Sequence, residues 1–544
     1  MIFWLFVFVF LSLVGNLTHI QIVNGRRLTQ QAVSQQTQSV ALEVPARGQI
    51  LDRKLRPLTD SRKTYRVVVF PAAVTDSDSE AVKLATVLHM DRDKIKKYLE
   101  GRAQSIPLDL NAAQKAEVTR LGLPGIVVVE MKIRDRKPEL ASHVIGYLGS
   151  AGGLSSWVGE TGIERFYDRE LRGTVPESQV RIFIDGRGRL IQGLKYTVEE
   201  NLVDDARNNV VLTIDRDIQG IVENAMDNAG IRDGAVVVMD LATGDIAAMA
   251  SRPEYNLGVS GTVGTDVYRG TAEKEMFLNH SLSLYQPGSV FKVIVASAAL
   301  EEGLVKPDTM FNCIGEKDPI VKCYEKKGHG LLSFAQAVAY SCNPTFARVG
   351  IELGADRIIS FAQKFGLAQN SIIGYTKNDL KDSLNTVSQQ YNLVNASLGQ
   401  WPIKASVVQV TAMMNVIAAG GVYTEPRLVM EIRSTGGKPV RSLAEGEKNQ
   451  VISRNTAETM QQLLEKVTTS GTGKQAWIEP WGSAGKTGSA QVGQNKLDAW
   501  FSGYAPLKNP RYVATVLVTD GESGGKTAAP VFKEIMLKIL ALQN

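Results

Sequence analysis

The spacing of apolar and polar positions divides the chain into two parts that predict different structures. Up to about residue 205, the pattern predicts strands over residues 65–70 and 125–131 and helices over residues 79–99 and 111–121. No group of residues in this part has the composition of a catalytic site. We therefore expect a non-catalytic module that positions the rest of the protein or binds a partner.

From about residue 206, the pattern changes to a longer series of well-defined elements. Strands are predicted early and late in this part, with a long helical stretch between them. The predicted strands cover residues 210–214, 235–239, 245–250, 484–491, 499–504 and 512–519, and the predicted helices include residues 217–229, 289–300 and 530–542. Early and late strands that share one antiparallel sheet indicate an α+β domain.

The N-terminus begins with an apolar run over residues 2–14, and weaker apolar character continues to about residue 23. We expect an uncleaved transmembrane helix over residues 1–22, because neither the basic start nor the cleavage site of a secretory signal is clear. A buried core helix is a poorer interpretation, since nothing polar interrupts one face. The predicted division is therefore an anchor (1–22), a non-catalytic domain (23–205) and a catalytic domain (206–544).

Composition and charge add little to this division, but they exclude some functions. The 544 residues are 44% hydrophobic and 22% charged, as in a globular protein, and 61 basic against 56 acidic residues leave a net charge of only +5. Such a small excess gives no reason to expect nucleic-acid binding.

The cysteines are Cys313, Cys323 and Cys342. Cys313 and Cys323 could form a disulfide outside the cytoplasm or remain two free thiols, and both alternatives stay open. Without a C-x-x-C spacing, and with five histidines in the chain, a structural zinc site is not expected. We expect no metal and no cofactor.

Ser289 and Lys292 are the first candidates for chemistry. They lie three residues apart at the start of a predicted apolar helix, so the lysine amine can reach the serine hydroxyl. A serine needs a neighbouring base to become a nucleophile, and burial can lower the pKa of a lysine enough for that role. The S-x-x-K spacing is weak evidence by itself, since it also occurs at residues 483–486 and 523–526.

Two further elements strengthen the hypothesis. Ser341 and Asn343 lie two apart on a predicted tight turn, where a hydroxyl can pass on a proton and an amide can bind a substrate carbonyl. The later run over residues 484–491 reads as a glycine-rich strand, along which a substrate backbone can lie closely. Within it Lys486 offers a charge for a carboxylate, and Thr487, Gly488 and Ser489 follow.

The three elements in this order resemble the class B penicillin-binding proteins, the monofunctional transpeptidases of the bacterial cell wall. The resemblance covers nearly the whole chain. It is carried by residues 47–53, 143–149, 162–168, 212–215, 234–240, 285–292, 471–474, 500–506 and 529–532. One departure is Ser489, where relatives usually have threonine, and this change keeps the hydroxyl.

The resemblance implies a five-stranded antiparallel sheet with helices on both faces and a helical subdomain, preceded by an elongated mixed α/β module. It also implies that Ser289 attacks D-Ala–D-Ala stem peptides, that Lys292 is the base and that Ser341 relays the proton. Asn343 would hold the substrate amide. Lys486 and Thr487 would bind its carboxylate, and the backbone N–H groups of Ser289 and Ser489 would form the oxyanion hole.

The expected activity is a peptidoglycan D,D-transpeptidase that also binds penicillin and other β-lactams covalently. The alternatives are a D,D-carboxypeptidase or β-lactamase-type hydrolase, and a non-enzymatic β-lactam sensor or scaffold. The expected location is the bacterial plasma membrane with the catalytic domain outside the cytoplasm, although Arg26 and Arg27 favour the reverse orientation by the positive-inside rule. The expected partner is a membrane glycosyltransferase of the elongation, division or sporulation class.

Overall fold

The structure is a computed structural model of the chain. The description covers residues 2–19, 37–41, 47–59, 62–133, 140–150, 157–173, 179–183, 197–199, 207–255, 276–368, 371–377, 390–493 and 496–542.

An antiparallel sheet of five strands forms the centre of the C-terminal region. Its strands are β1 (Gly234–Asp240), β2 (Ile246–Arg252), β3 (Ala484–Gln491), β4 (Leu497–Ala505) and β5 (Tyr512–Val518). They lie in the order β2-β1-β5-β4-β3, so strands from both ends of the region meet where β1 pairs with β5. The expected five-stranded sheet is confirmed, and β3 forms one of its edges.

Helices cover both faces of this sheet, as expected. Because side chains alternate along a strand, Val236 and Val238 of β1 join one hydrophobic core while Val237 and Met239 join the other. One face packs against helices α1 (Arg216–Asn228) and α2 (Ala529–Ala541). The other packs against the helical middle of the chain. Its helices are Lys292–Glu301, Phe334–Ala339, Asn343–Leu353, Ala355–Lys364, Gln390–Ser397, Val407–Ala418 and Arg454–Thr469.

The N-terminal region has a small sheet of its own. Strands Arg62–Val69, Gln104–Leu110 and Ile126–Ile133 pair antiparallel with Arg62–Val69 in the middle, and helix Ala112–Arg120 packs beside them. The sequence analysis did not predict the strand at Gln104–Leu110. A second small sheet combines Thr37–Ala41, Gln179–Phe183 and Thr197–Glu199.

The prediction of one helix over residues 79–99 is wrong, because the chain forms two helices, Ser77–Leu88 and Arg92–Glu100. His89 takes a left-handed conformation with φ of 50° and ends the first helix. Asp91 then caps the second helix by accepting hydrogen bonds from the backbone N–H groups of Asp93 and Lys94. The apolar periodicity continues across this break, so it could not reveal it.

Residues 47–58, 140–150 and 157–173 pack directly against the C-terminal region, and we call this contact the junction. Strand Ile50–Leu51 pairs in parallel with Asn208–Leu212. Ile50, Val144 and Ile163 join the hydrophobic core that contains Val237 of β1. Backbones approach closely here. A Cβ atom on Gly146, whose φ is +86°, would lie 1.8 Å from the carbonyl oxygen of Thr161. The domain boundaries at residues 22/23 and 205/206 stay predictions.

The N-terminal helix spans Ile2–Thr18 and exposes its apolar side chains, among them Phe3, Trp4 and Phe6. At 1.5 Å per residue, its 17 residues extend about 26 Å, whereas the hydrocarbon core of a bilayer is about 30 Å thick. Within the described part of the chain, none of the helices combines the length and apolar character of a membrane span. The expected transmembrane helix is therefore not supported.

Candidate active site

Ser289 lies in a short 3-10 helix, Gly288–Phe291, that runs into helix Lys292–Glu301. Gly288 opens this turn with φ of +54° and lies against β3, where a Cβ atom would approach the carbonyl oxygen of Ser489 to 2.9 Å. A glycine at this position lets the serine turn pack on the strand that carries Lys486. The start of the predicted helix and the late strand are therefore neighbours.

Lys292 follows Ser289 by one turn and is completely buried. Its Nζ donates to the carbonyl oxygen of Ser341 at 2.9 Å, to Ser341 Oγ at 3.3 Å and to Asn343 Oδ1 at 2.7 Å. All three acceptors are neutral oxygens, so nothing in this set compensates a positive charge. Burial lowers the pKa of Lys292 to about 7, which makes the neutral amine available near neutral pH.

Ser341 connects the two lysines of the site. Its φ of 56° places it in the left-handed region, which costs a residue other than glycine about 1–2 kcal/mol. The side chain of Ser341 lies between Lys292 Nζ and Lys486 Nζ, and the latter donates to its Oγ at 2.9 Å. Asn343 begins the next helix, Asn343–Leu353, and keeps its amide at the same turn.

Lys486 lies on the edge strand β3 and is also completely buried. Burial and the nearby charge of Lys292 lower the pKa of Lys486. The next residue, Thr487, shares a hydrogen bond of 2.6 Å with Thr472, and Ser489 Oγ accepts from the backbone N–H of Gly524 at 3.2 Å. Gly488 lies close to the serine turn, because a Cβ atom there would be 2.7 Å from the carbonyl oxygen of Pro287.

These elements line one cleft with a volume of about 580 Å³. Ser289, Ser341, Asn343, Thr487, Gly488 and Ser489 contribute to its wall, so the structure brings the predicted site residues together. Lys292 and Lys486 lie beneath it, in contact with Ser341. The cleft is partly open to solvent and has the size of a small-molecule or peptide site.

Further residues line the cleft that the sequence analysis did not select. They include Tyr324, Thr472, Lys474 and Lys526. Thr472 and Lys474 belong to the stretch 471–474, which contributed to the family resemblance but received no role. The hydrogen-bond partner of Thr472 is Thr487 in the glycine-rich strand, yet no pattern in the sequence indicates that pairing.

The three cysteines carry free thiols, so the disulfide alternative for Cys313 and Cys323 is not realised in this structure. Their sulfur atoms lie together with His329, and the possible ligand atoms of all four side chains are within 4.8 Å of one another. Cys342 stands between Ser341 and Asn343, so this group borders the cleft. The sequence analysis missed it, because Cys313 ends a strand, Cys323 and His329 lie in the loop that follows, and Cys342 lies on a later turn, so the four residues have no recognisable spacing.

Comparisons with known proteins show similarity over most of the chain. The family model described as "Penicillin binding protein transpeptidase domain" matches residues 234–537, and the one described as "Penicillin-binding Protein dimerisation domain" matches residues 42–201. A solved structure, the D,D-transpeptidase domain of a peptidoglycan glycosyltransferase from Eggerthella lenta, is similar with a TM-score of 0.64 and 25% identity. The similarity covers 92% of this chain and 100% of that one.

Curated relatives extend over nearly the whole chain. Stage V sporulation protein D of Bacillus subtilis is 30% identical, with 97% of this chain and 83% of the relative covered. Peptidoglycan D,D-transpeptidase MrdA of Salmonella typhimurium is 26% identical, with coverage of 96% and 92%. Peptidoglycan D,D-transpeptidase FtsI of Escherichia coli is 25% identical, with coverage of 98% and 89%. The chain therefore belongs to the family of penicillin-binding protein transpeptidases.

Proposed function

We propose that the chain is a peptidoglycan D,D-transpeptidase in which Ser289 forms an acyl-enzyme with the D-Ala–D-Ala end of a stem peptide. Ser289 Oγ attacks the carbonyl carbon between the two D-alanines, and its proton passes to the neutral amine of Lys292. The C–N bond then breaks, and the terminal D-alanine leaves as an amine. An amine from a second stem peptide attacks the resulting ester, forms the cross-link and releases Ser289.

Ser341 is suited to carry the proton to the leaving amine. Its Oγ accepts from both buried lysines, with donor–acceptor distances of 3.3 Å to Lys292 and 2.9 Å to Lys486. A hydroxyl in such a chain can donate its own proton outward while it accepts one from an ammonium group behind it. This arrangement joins the base of the first step to the acid of the second.

The remaining residues position the substrate. Asn343 offers an amide for the peptide group, while Lys486 and Thr487 offer an amine and a hydroxyl for the terminal carboxylate. Gly488 and Ser489 lie on the edge strand β3, where an extended peptide can add main-chain hydrogen bonds. The backbone N–H groups of Ser289 and Ser489 are our candidates for the oxyanion hole.

One observation carries the proposal: Ser289, Ser341 and the Lys486 strand meet in one cleft above Lys292, a buried lysine whose hydrogen bonds go to neutral oxygens. The three elements are separated by 52 and 145 residues along the chain (341 − 289 and 486 − 341). A scaffold without catalytic function would have no need to bury two amines at one hydroxyl, because uncompensated burial of a charge is costly.

The test is covalent labelling with fluorescent penicillin, followed by mass mapping of the labelled peptide. We expect an adduct on Ser289 in the unmodified protein, and a loss of labelling by more than about a thousandfold in Ser289→Ala. Ser442→Ala is the matched control, because Ser442 is exposed on a strand edge outside the cleft. Labelling of folded Ser289→Ala at the normal rate would overturn the assignment of the nucleophile.

The same experiment separates a transpeptidase from a hydrolase. A transpeptidase excludes water from the acyl-enzyme, so the penicillin adduct should persist for much longer than the time needed to form it. Rapid release of penicilloate with recovery of free Ser289 would instead favour the carboxypeptidase or β-lactamase type. Cross-linking of two stem peptides by the purified protein is the direct measurement of the proposed activity.

We also propose the division of labour expected from the sequence, with an anchor over residues 1–22, a pedestal or dimerisation domain over 23–205 and a transpeptidase domain over 206–544. The exposed apolar side chains of helix Ile2–Thr18 support attachment to the bacterial plasma membrane, with the catalytic domain on the outer side where peptidoglycan lies. Deletion of residues 1–22 should move the protein from the membrane fraction to the soluble fraction. A truncated protein that stays on the membrane would contradict this assignment.

A membrane glycosyltransferase of the elongation, division or sporulation class is the proposed partner. The relatives named for sporulation and for D,D-transpeptidation, and the similar domain titled as part of a peptidoglycan glycosyltransferase, support this choice. Crosslinking in living cells, with a photoreactive residue on the N-terminal region, should capture such an enzyme. Capture of other proteins alone would count against it.

A further inference from the structure

Cys313, Cys323, His329 and Cys342 form a group that the proposed transpeptidase reaction does not use. Their possible ligand atoms, three sulfurs and one imidazole nitrogen, all lie within 4.8 Å of one another. The three cysteines are buried and His329 is half-buried. Three thiols and one imidazole converging on a single point are the donor set of a structural zinc site.

The backbone around the group brings separate segments together. Cys313 ends strand Met310–Cys313, whose partner strand Gly330–Ser333 follows His329 directly. The connecting loop returns on itself at Gly315 and Gly328, where both φ values are positive and a Cβ atom on either residue would collide with the opposite backbone. These two glycines allow the loop that carries Cys323 to fold over the hairpin, and the turn with Cys342 completes the group.

The distances fit a tetrahedral ion. Nδ1 of His329 lies 3.6 Å from Cys313 Sγ and 3.6 Å from Cys323 Sγ. Zinc–sulfur bonds of about 2.3 Å and zinc–nitrogen bonds of about 2.0–2.1 Å, at a tetrahedral angle, separate sulfur from nitrogen by about 3.6 Å. Two sulfur atoms that only pack in a hydrophobic core have no reason to lie at the same distance from one nitrogen atom.

His329 is also held in the orientation that a metal ligand needs. Its second ring nitrogen, Nε2, lies 3.4 Å from the hydroxyl of Tyr324, which donates to the carbonyl oxygen of Tyr340 at 2.8 Å. The ring stacks on Tyr340 with an interplanar angle of 4°. Contacts of this kind direct the other nitrogen, Nδ1, toward the three sulfurs.

We propose that these four side chains bind one Zn²⁺ ion in a closed Cys₃His site beside the active site. On binding, the three thiols release three protons to solvent and coordinate as thiolates, and His329 coordinates through neutral Nδ1. With four protein ligands the ion has no position for substrate or water, so it stabilises structure and takes no part in acyl transfer. The proposal stands independently of the function proposed above.

The position of Cys342 gives the ion a specific consequence. Cys342 is flanked by Ser341 and Asn343, and the bond from sulfur to zinc would tie their turn to the hairpin that carries Cys313. Ser341 holds a left-handed conformation that needs support from its surroundings. We therefore assign the ion a positioning role for this turn. Coordination would also protect the three thiols from oxidation outside the cytoplasm.

The first experiment measures metal in the full-length protein, purified in detergent under reducing conditions and incubated with zinc sulfate before dialysis. Elemental analysis should find about one zinc ion per chain. Replacement of zinc by Co²⁺ should give the thiolate charge-transfer bands and the intense d–d absorption of tetrahedral cobalt. A metal content near zero, or the weak spectrum of octahedral cobalt, would overturn the proposal.

Variants at the ligands supply the second readout. Cys313→Ser and His329→Ala should each weaken zinc binding by roughly tenfold or more in a competition with a chromophoric chelator. His89→Ala is the matched control, because His89 is exposed at a helix end in the N-terminal region and should leave zinc binding unchanged. Normal zinc affinity in both ligand variants would show that the metal binds elsewhere.

Failure to fold must be distinguished from loss of the metal. His329 is the half-buried ligand, so His329→Ala is the variant expected to keep the fold, as checked by circular dichroism. Its penicillin acylation should slow while the adduct still forms on Ser289. A wild-type protein that lacks metal and instead shows a disulfide between two of these cysteines by mass spectrometry would overturn the zinc site, yet would leave the transpeptidase assignment intact.

Discussion

The junction and the cleft both bury basic side chains, but they differ in whether acidic groups compensate the charge. At the junction, Arg47 is buried between two carboxylates, with Glu164 Oε2 at 3.1 Å from Nη2 and Asp168 Oδ1 at 2.8 Å from Nη1. In the cleft, Lys292 and Lys486 are buried against neutral oxygens. Within the described residue ranges, neither lysine forms an ion pair.

The difference separates architecture from chemistry. A buried guanidinium that is compensated by carboxylates remains charged and holds the N-terminal residues against each other. A buried amine without such compensation shifts its pKa toward neutral and can exchange a proton. We therefore expect the reactive groups of the transpeptidase to lie where the fold leaves buried charge uncompensated, and variants in the two regions test this expectation.

The largest effect is expected from Lys292→Met, which removes the proposed base and keeps the volume of the side chain. We expect the second-order rate of penicillin acylation to fall by about a thousandfold to ten-thousandfold, since general-base contributions reach that size. The unfolding midpoint should stay the same or rise, because an uncompensated buried charge disappears. Lys306→Met at an exposed position is the control. Near-normal acylation in Lys292→Met would exclude Lys292 as the base.

At the junction, Arg47→Met should show the reverse result. Loss of the guanidinium leaves Glu164 and Asp168 without their buried partner, and such a break costs about 3–5 kcal/mol of stability. Chemical denaturation should report the loss, while the acylation rate of the folded fraction changes little. Arg441→Met, which removes an exposed pair with Glu170 at 3.7 Å, should cost less than about 1 kcal/mol. Equal costs for both variants would show that burial does not set the difference.

Glu223 is the exception at the junction. Its Oε1 accepts from the backbone N–H of Ala141 and from Gln219 Nε2, both at 2.7 Å, and burial together with the charge of Glu254 raises the pKa of Glu223 to about 7, against the opposing charge of Arg252. The folded protein thus holds this proton between about pH 4.5 and 7, where the unfolded chain releases it. Stability from Glu223 is full below that window and declines as pH rises through it.

The matched variant is Glu223→Gln, which imitates the protonated carboxyl. At pH 8 it should be more stable than the unmodified protein by about 3 kcal/mol, and the difference should disappear near pH 4. Denaturation curves of both proteins at the two pH values measure the effect. A stability difference that does not change with pH would mean that Glu223 is not a titrating group.

The smallest effect is the pH dependence of the unmodified enzyme. Because Lys292, the proposed base, can accept a proton only when neutral, and burial lowers its pKa to about 7, the acylation rate should fall about tenfold per pH unit below 7 and level off above it. The measurement is the penicillin acylation rate between about pH 5 and 9. A plateau that begins only above pH 9 would mean that the lysine keeps its ordinary pKa.

Local sequence patterns predicted several elements of the catalytic region closely. The strand over residues 484–491 matches β3, and the hairpin at residues 235–250 matches β1 and β2, because alternating or β-branched residues between turn signals specify strands through short-range interactions. The same approach missed Gln104–Leu110 and the break at His89. The strand Gln104–Leu110 forms through pairing with the neighbouring strand, and the helix ends at His89 because this residue is left-handed. Neither cause produces a periodic pattern of apolar residues.

Residue type, spacing and the family resemblance were enough to select Ser289, Lys292 and the run from Lys486 to Ser489 as candidates for the chemistry. Their arrangement in space became visible only in the folded chain. Lys486 reaches Ser341 across 145 residues, and Cys342 joins Cys313 and His329 across a folded loop. Burial of both lysines also depends on helices and strands from the whole domain. Such contacts arise from long-range packing, which no local pattern of residues encodes.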